Sequence, residues 1–208
     1  MGRDPSSWDF KGMFLDALRA ALDVPALSNA FIADFDRALT ARTASAPPDV
    51  HARHIETTAI FAAAFDALAA ARTPDLMAVL GRIIDRYGAE ITAYTRAMLD
   101  AAPDPFAKIA EESKSREETY FGADFTFERP RDDSHSYHLH ITACAYARVF
   151  AAWGIPQLTG LFCRLDEAWI RAIDQQRDGV VFSRPTTIGW GGTRCLFLFD
   201  RASRQSSG

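Results

Sequence analysis

With 208 residues, 48% hydrophobic and 24% charged side chains and a formal net charge of −4, the chain has the make-up of one ordinary globular domain. This balance speaks against nucleic acid or an anionic membrane as partner, and no basic run supplies such a surface locally. Three cysteines, an odd number, follow an opening stretch (MGRDPSSWDFKG) without an apolar signal core, which predicts reduced thiols in a cytoplasmic protein.

The first half reads as helices. Apolar residues at Phe10, Met13, Phe14, Leu18 and Leu22 follow helical spacing, and Leu27, Phe31, Ile32, Phe35 and Leu39 form the next stripe. A loop over residues 43–48 leads to Asp49, the expected cap of a helix to about Ala71, with Ile55, Thr58, Phe61, Phe65 and Leu68 inward. That stretch is Ala-rich, is interrupted by Asp66, and is too short to span a bilayer. His51 and His54 sit three apart with no acidic partner at a ligand offset, so they read as solvated residues at a helix start. Thr73-Pro74 predicts a cap and first position for a helix to about Leu99, and residues 103–106 open a shorter one.

From Gly122 the period changes to two. Residues 123–128 alternate, residues 130–133 predict a turn, and Ser136–Thr142 alternate again. Val180–Phe182 and Arg194–Phe199 read as two further strands, the latter after a tight Gly-Trp-Gly-Gly turn at 189–192. The expected fold class is α+β: a helical N-terminal half packed on a small, mainly antiparallel sheet with two helices. The expected division is a helical region 1–120, a mixed region 121–200 and a disordered tail 201–208, within one compact domain.

Reactive side chains gather in the mixed region. On the strand Tyr137–Ile141 the period puts His138, His140 and Thr142 on one face. Cys144 opens the helix that follows, where the helix N-terminus is expected to lower its pKa. In the next helix, Cys163 and Asp166 lie three apart on one face. Cys195 shares the Phe197/Phe199 face of its strand, which suits a packed, inert thiol.

The region resembles a known family. Its pattern runs through Thr142, Cys144, Tyr146, Ala147, Phe150, Gly154, Pro156 and Leu158, then Phe162, Cys163 and Asp166. It closes on Thr187, Gly191, Gly192, Cys195, Phe197 and Phe199, and the lead-in holds Asp104-Pro105-Phe106 and Tyr120-Phe121-Gly122. These residues are similar to the L-2-amino-thiazoline-4-carboxylic acid hydrolases over about 55–200. Ala143 and Leu196 depart, standing where family members often carry arginine and an acidic residue. The resemblance implies hydrolytic opening of a cyclic amidine-like C–N unit, with water adding to the ring carbon and an N-carbamoyl amino acid as product.

Two chemical variants are open. In the first, Cys144 is the nucleophile, His138 or His140 moves protons, and Asp166 holds the substrate amidinium. Thr142, Tyr146, Cys163, Gly191, Gly192 and Cys195 then line the substrate, and no cofactor is needed. In the second, Cys144, Cys163 and Cys195 join a histidine around zinc, although their spacings lack a C-x-x-C pair. The rival class is a non-catalytic module that binds a small ligand or pairs with another subunit, a homo-oligomer included.

Overall fold

The computed structural model describes residues 10–202. Its contacts divide the chain into two compact units, Met1–Arg86 and Tyr87–Gly208. The fold class is α+β, with helices preceding a four-stranded antiparallel sheet.

The first unit contains α1 (Phe10–Ala21), α2 (Asn29–Ala44), α3 (Ala52–Ala70) and the start of α4 (Leu76–Asp100). Ser28 caps α2, its hydroxyl accepting from the Phe31 amide. Phe14 packs edge-on against Phe61 at 4.8 Å and stacks near Phe35, so the aromatic stripe is core. Asp66 is held by a paired guanidinium contact from Arg42, both bonds 2.8 Å.

Three expectations in this unit are corrected. The cap of α3 is His51, whose Nδ1 accepts from the Arg53 amide, and not Asp49. His54 is fully buried rather than solvated, because α3 is apolar almost all round and turns nearly every face inward. Thr73-Pro74 does not start α4: Asp75 adopts a positive φ, its carbonyl takes the Ala78 amide, and the helix begins at Leu76.

The second unit continues α4 and adds α5 (Pro105–Arg116) and one π-helical turn, Glu117–Phe121. Asp104 caps α5 through the Ala107 amide, with Pro105 at the first position where its missing N–H costs nothing. The same carboxylate takes two bonds from Arg201, at 3.0 and 2.6 Å. Arg201 therefore belongs to the last strand and not to a tail; residues 203–208 lie outside the described residues.

The strands are β1 (Thr126–Asp132), β2 (Ser136–Ala143), β3 (Val180–Ser183) and β4 (Cys195–Arg201), in spatial order β1-β2-β4-β3. The expected turn at 130–133 falls instead at 133–135. Pro130 is accommodated inside β1, an edge strand, where the register slips between Glu128 and Arg131. The turn is closed by Asp133, whose Oδ1 accepts from the amides of His135 and Ser136.

Between β2 and β3 come α6 (Ala145–Ala152), a 3₁₀ turn at Pro156–Leu158, α7 (Thr159–Ile170) and the short α8 (Gln175–Asp178). Trp169 on α7 stacks on Phe199 at 5.5 Å and near Phe197, so this helix covers the Phe197/Phe199 face of the sheet. Ile141 pairs with Cys195 across β2 and β4, which puts Cys195 on the covered face beneath α7.

Candidate functional site

The site forms where the starts of α6 and α7 meet the loop between β3 and β4, all in the second unit. Cys163 comes from the first turns of α7 and Cys195 from the first position of β4, and the two thiols lie close enough to shift each other's acidity. The Ile188 amide donates to Cys195 Sγ at 3.3 Å. Thr187 Oγ1 is buried and has no hydrogen-bond partner among the described residues, although Thr187 neighbours Cys163.

Glycines let the loop come this close. A Cβ on Gly189 would stand 2.5 Å from Cys163 Sγ and 3.0 Å from the Thr159 carbonyl oxygen. Gly191 closes the 3₁₀ turn Ile188–Trp190 with φ +87°, a conformation L side chains avoid. Gly192 presses against Thr186 and the Thr187 carbonyl, which a side chain would displace. Gly191 and Gly192, expected to position substrate, shape this loop.

Arg184, absent from the sequence-based set, is the buried cation of the site, with 5% of its side chain exposed. Nη1 donates to the Cys163 carbonyl at 2.8 Å, and the guanidinium lies over the Phe197 ring at 4.5 Å. Nη2 faces Asp166 Oδ2 at 3.5 Å, yet Nε and Nη2 are buried without a hydrogen bond among the described residues. Unpaired buried donors are costly unless an anion stands beside them, and this cation faces both the Cys163 sulfur and Asp166.

The thiols are pushed apart in acidity. The neighbouring Cys195 thiol lowers Cys163 to about 6, helped by Thr187 and Arg184 and opposed by burial and Asp166. Cys195 moves the other way, through the neighbouring Cys163 and through burial. Burial pushes Cys144 up to about 12; the Ala147 and Tyr146 amides at the start of α6 pull the other way and lose. The expected activation of Cys144 by its helix terminus is thus reversed by desolvation, and the acidic thiol is Cys163.

Cys144, Tyr146 and Asp166 lie close enough to one another to interact electrostatically. Each is hemmed in by protein, which raises its pKa through desolvation, yet none is sealed off, and 42% of the Asp166 side chain meets solvent. Asp166 acts electrostatically on Cys144, Tyr146 and Cys163, and is itself stabilised by Arg184 and by Arg116 from the end of α5. The Tyr146 hydroxyl donates to that of Tyr120 at 3.4 Å. Tyr120 is presented by the π-helical turn, which is anchored by buried Glu117: the Tyr137 hydroxyl donates to it at 2.6 Å, and Arg129 pairs with it.

His138, His140 and Thr142 are not brought to this site. Ile141 shares the thiol-bearing face, so these three, one residue out of phase, lie on the opposite one. There His138 Nε2 meets Asp200 at 3.0 and 3.2 Å, His140 pairs with Leu196 and Glu128, and the Thr142 hydroxyl donates to the Thr126 carbonyl. Among the described residues no group of three or more His, Cys, Asp or Glu side chains is arranged to hold a metal ion. No described helix is long and apolar enough to cross a membrane.

Of the residues that sequence missed, Thr187 and Tyr120 stood in the family pattern without an assigned role. Arg184 and Arg116 carried no signal, since only the fold brings them beside Asp166.

The arrangement is that of an α+β protein in which a thiol, a carboxylate and a buried guanidinium are brought together. The profile of the L-2-amino-thiazoline-4-carboxylic acid hydrolases matches residues 52–199, and the chain belongs to that family. No curated protein matches the sequence. Among solved structures, the Fe(II) unliganded H-NOX protein from K. algicida is 10% identical, covering 94% of this chain and 96% of its own, with a TM-score of 0.37. An H-NOX protein from S. oneidensis in the Fe(II)NO state is 12% identical, covering 93% and 100%, with a TM-score of 0.34. Likenesses this distant carry no argument about this chain.

Proposed function

We propose that the chain is a hydrolase that opens a cyclic amidine of the 2-aminothiazoline-4-carboxylate type, with Cys163 rather than Cys144 as nucleophile. One observation carries this reading: Cys163 and the Asp166 carboxylate flank one buried guanidinium, Arg184, whose Nε and Nη2 have no hydrogen bond among the described residues. With Cys163 and Asp166 ionised and Arg184 positive, the cluster holds a net single negative charge. A cationic amidinium neutralises it.

Asp166 would take the amidinium N–H groups and so present the ring carbon to the Cys163 sulfur. Thiolate attack forms the S–C2 bond and breaks the ring C2–S bond, leaving an isothiourea on the protein and a thiol on the substrate. Cys144, held neutral by burial, is the group placed to give the leaving sulfur its proton. Water then adds to C2 of the still protonated isothiourea, the Cys163 thiolate departs, one water proton returns to Cys144, and the other is released to solvent, as the change from a cationic amidinium to a neutral urea requires. The product is an N-carbamoyl amino acid. Both C–N bonds survive in it, so the bond broken is C–S, which corrects the C–N cleavage expected from sequence. Arg116, which lies over Tyr120 and Phe121 and acts on Asp166, suits the substrate carboxylate. Reduced thiols of this kind fit a cytoplasmic setting.

The test is to incubate the protein with 2-aminothiazoline-4-carboxylate and follow the gain of one water by mass spectrometry. Turnover that Cys163→Ser and Asp166→Asn both abolish is the expected result. A protein that binds this acid, or any of a panel of cyclic amidine acids, without opening it is a binding module instead.

A further inference from the structure

We infer that Tyr137 and Glu117 are positioning residues: the phenol, fixed in the sheet, holds the carboxylate and thereby sets where the π-helical turn delivers Tyr120 and Arg116. The inference rests on the proposed hydrolysis only in giving Arg116 a substrate carboxylate to recognise, and its first test uses no substrate.

Glu117 is the pivot of that turn. Its carbonyl accepts the N–H of Gly122, which closes the wide turn, and Gly122 itself takes φ +58°. Its side chain, 3% exposed, reaches the other way, into the sheet. There the Tyr137 hydroxyl of β2 donates to Oε1 at 2.6 Å, and Arg129 of β1 pairs with Oε2. Packing alone does not call for a buried carboxylate, since apolar residues of similar volume are often as stable or more so. What the two anchors supply is one register. In a plain α-helix the Gly122 amide would go to the Glu118 carbonyl instead, and the side chains that follow would be rotated by up to about 100°.

The turn carries this placement toward the thiols. The Tyr146 hydroxyl donates to that of Tyr120 at 3.4 Å, and the Tyr146 ring lies 4.8 Å from that of Phe162, the residue before Cys163. Tyr146 also stands in the first turn of α6, which Cys144 opens. The Arg116 guanidinium lies over the Tyr120 and Phe121 rings at 5.6 and 5.8 Å, so its place depends on where the turn puts them. Phe121 packs in turn edge-on against Phe125 at 4.8 Å. Contacts thus run unbroken from the sheet, through Glu117, to the cation that suits the substrate carboxylate.

The experiment is fluorine NMR of the full-length protein with fluorotyrosine in place of all five tyrosines, each signal assigned by its own phenylalanine substitution. A melting curve establishes that each variant is folded. Tyr137→Phe and Glu117→Ala should shift the Tyr120 and Tyr146 signals, while that of Tyr94, exposed on α4, stays in place. Glu117→Gln, which still accepts the Tyr137 hydroxyl, should return them most of the way. Ser113→Ala is the control, because it removes the other contact of that hydroxyl, at 3.2 Å, and leaves Glu117 alone. If Glu117→Ala does not fold, Tyr137→Phe, which deletes one oxygen atom, decides by itself. Unmoved Tyr120 and Tyr146 signals in Tyr137→Phe overturn the inference. So does a shift of the same size in Ser113→Ala, since a general response to packing would then account for it. With 2-aminothiazoline-4-carboxylate, Arg116→Gln should raise KM about tenfold for one lost charged contact, and Tyr137→Phe should raise it less, both with kcat within about twofold. A fall in kcat at unchanged KM in Tyr137→Phe contradicts the role. A protein inert toward every cyclic amidine leaves the fluorine signals unaffected, so the two readings fail separately.

Discussion

Adding a single methyl group at Gly189 tests whether the loop and the thiol are one mechanical unit. A Cβ there would lie 2.5 Å from Cys163 Sγ, 3.0 Å from the Thr159 carbonyl oxygen and 3.1 Å from its carbon. Comfortable contact needs about 3.5–4.0 Å, so the neighbours must yield by roughly 1 Å. The Thr159 atoms are α7 backbone and cannot move without the helix. Either the loop retreats, taking the Ile188 amide from Cys195, or the Cys163 side chain rotates away from its partner. Overpacking of this kind costs about 1–3 kcal/mol, which for a chain of this size lowers Tm by roughly 2–10 °C.

Gly160→Ala is the control on the same helix. Its Cβ would meet the Gly189 carbonyl oxygen and the Trp190 indole nitrogen at 3.6 Å, ordinary contact, and helix propensity favours alanine by up to about 1 kcal/mol. Urea denaturation should therefore show Gly189→Ala destabilised and Gly160→Ala neutral or better. Cys163 alkylation should slow near neutral pH only in the former. A Gly189→Ala protein as stable as the parent, with unchanged Cys163 labelling, refutes the reasoning.

Asp104→Ala removes an N-cap and the paired contact with Arg201 together, and should cost about 1–3 kcal/mol in urea denaturation, most of it from the cap because the ion pair is partly exposed. A double-mutant cycle with Arg201→Ala separates the two contributions. Asp104 and Asp178 are both held below the ordinary carboxyl value of 3.8 by hydrogen bonds from Arg201 and Arg96. Their stabilisation is therefore complete above that value and lost as pH falls through the lower folded-state values, so acid titration of Tm should show it draining away below about pH 4. His138→Ala and His140→Ala should leave turnover of the cyclic amidine within about twofold of the parent, since both lie across the sheet from the thiols; a hundredfold loss in either, of the size typical for a general acid or base, would return a histidine to the mechanism.

Much of the fold was legible because period and punctuation agree. The change from helical spacing to alternation near residue 122, the Asp104-Pro105 start and the three later strands sit close to where the pattern puts them, while β1 runs Thr126–Asp132 instead of 123–128. Errors cluster where a local signal meets a tertiary one. Pro130 reads as a turn, yet an edge strand absorbs it at a register slip. His54 reads as solvated because a histidine carries no mark of burial when its helix is apolar all round.

In the site, the same alternation that correctly paired His138 with His140 could not say which face carries the chemistry. Its register with Ile141 puts Cys195 on the face opposite the histidines. Cys144 was favoured by its helix terminus, but the desolvation that reverses its acidity is a property of what surrounds it. Arg184 and Asp166 are 18 residues apart in sequence and 3.5 Å apart in space, a juxtaposition no local pattern encodes.

The most direct measurement is rapid acid quench of the protein with 2-aminothiazoline-4-carboxylate, followed by peptide mass mapping during turnover. The account predicts a transient adduct of substrate mass on the peptide carrying Cys163, absent in Cys163→Ser. An adduct on Cys144 instead, or a Cys163→Ser protein that turns over at the parental rate, contradicts it.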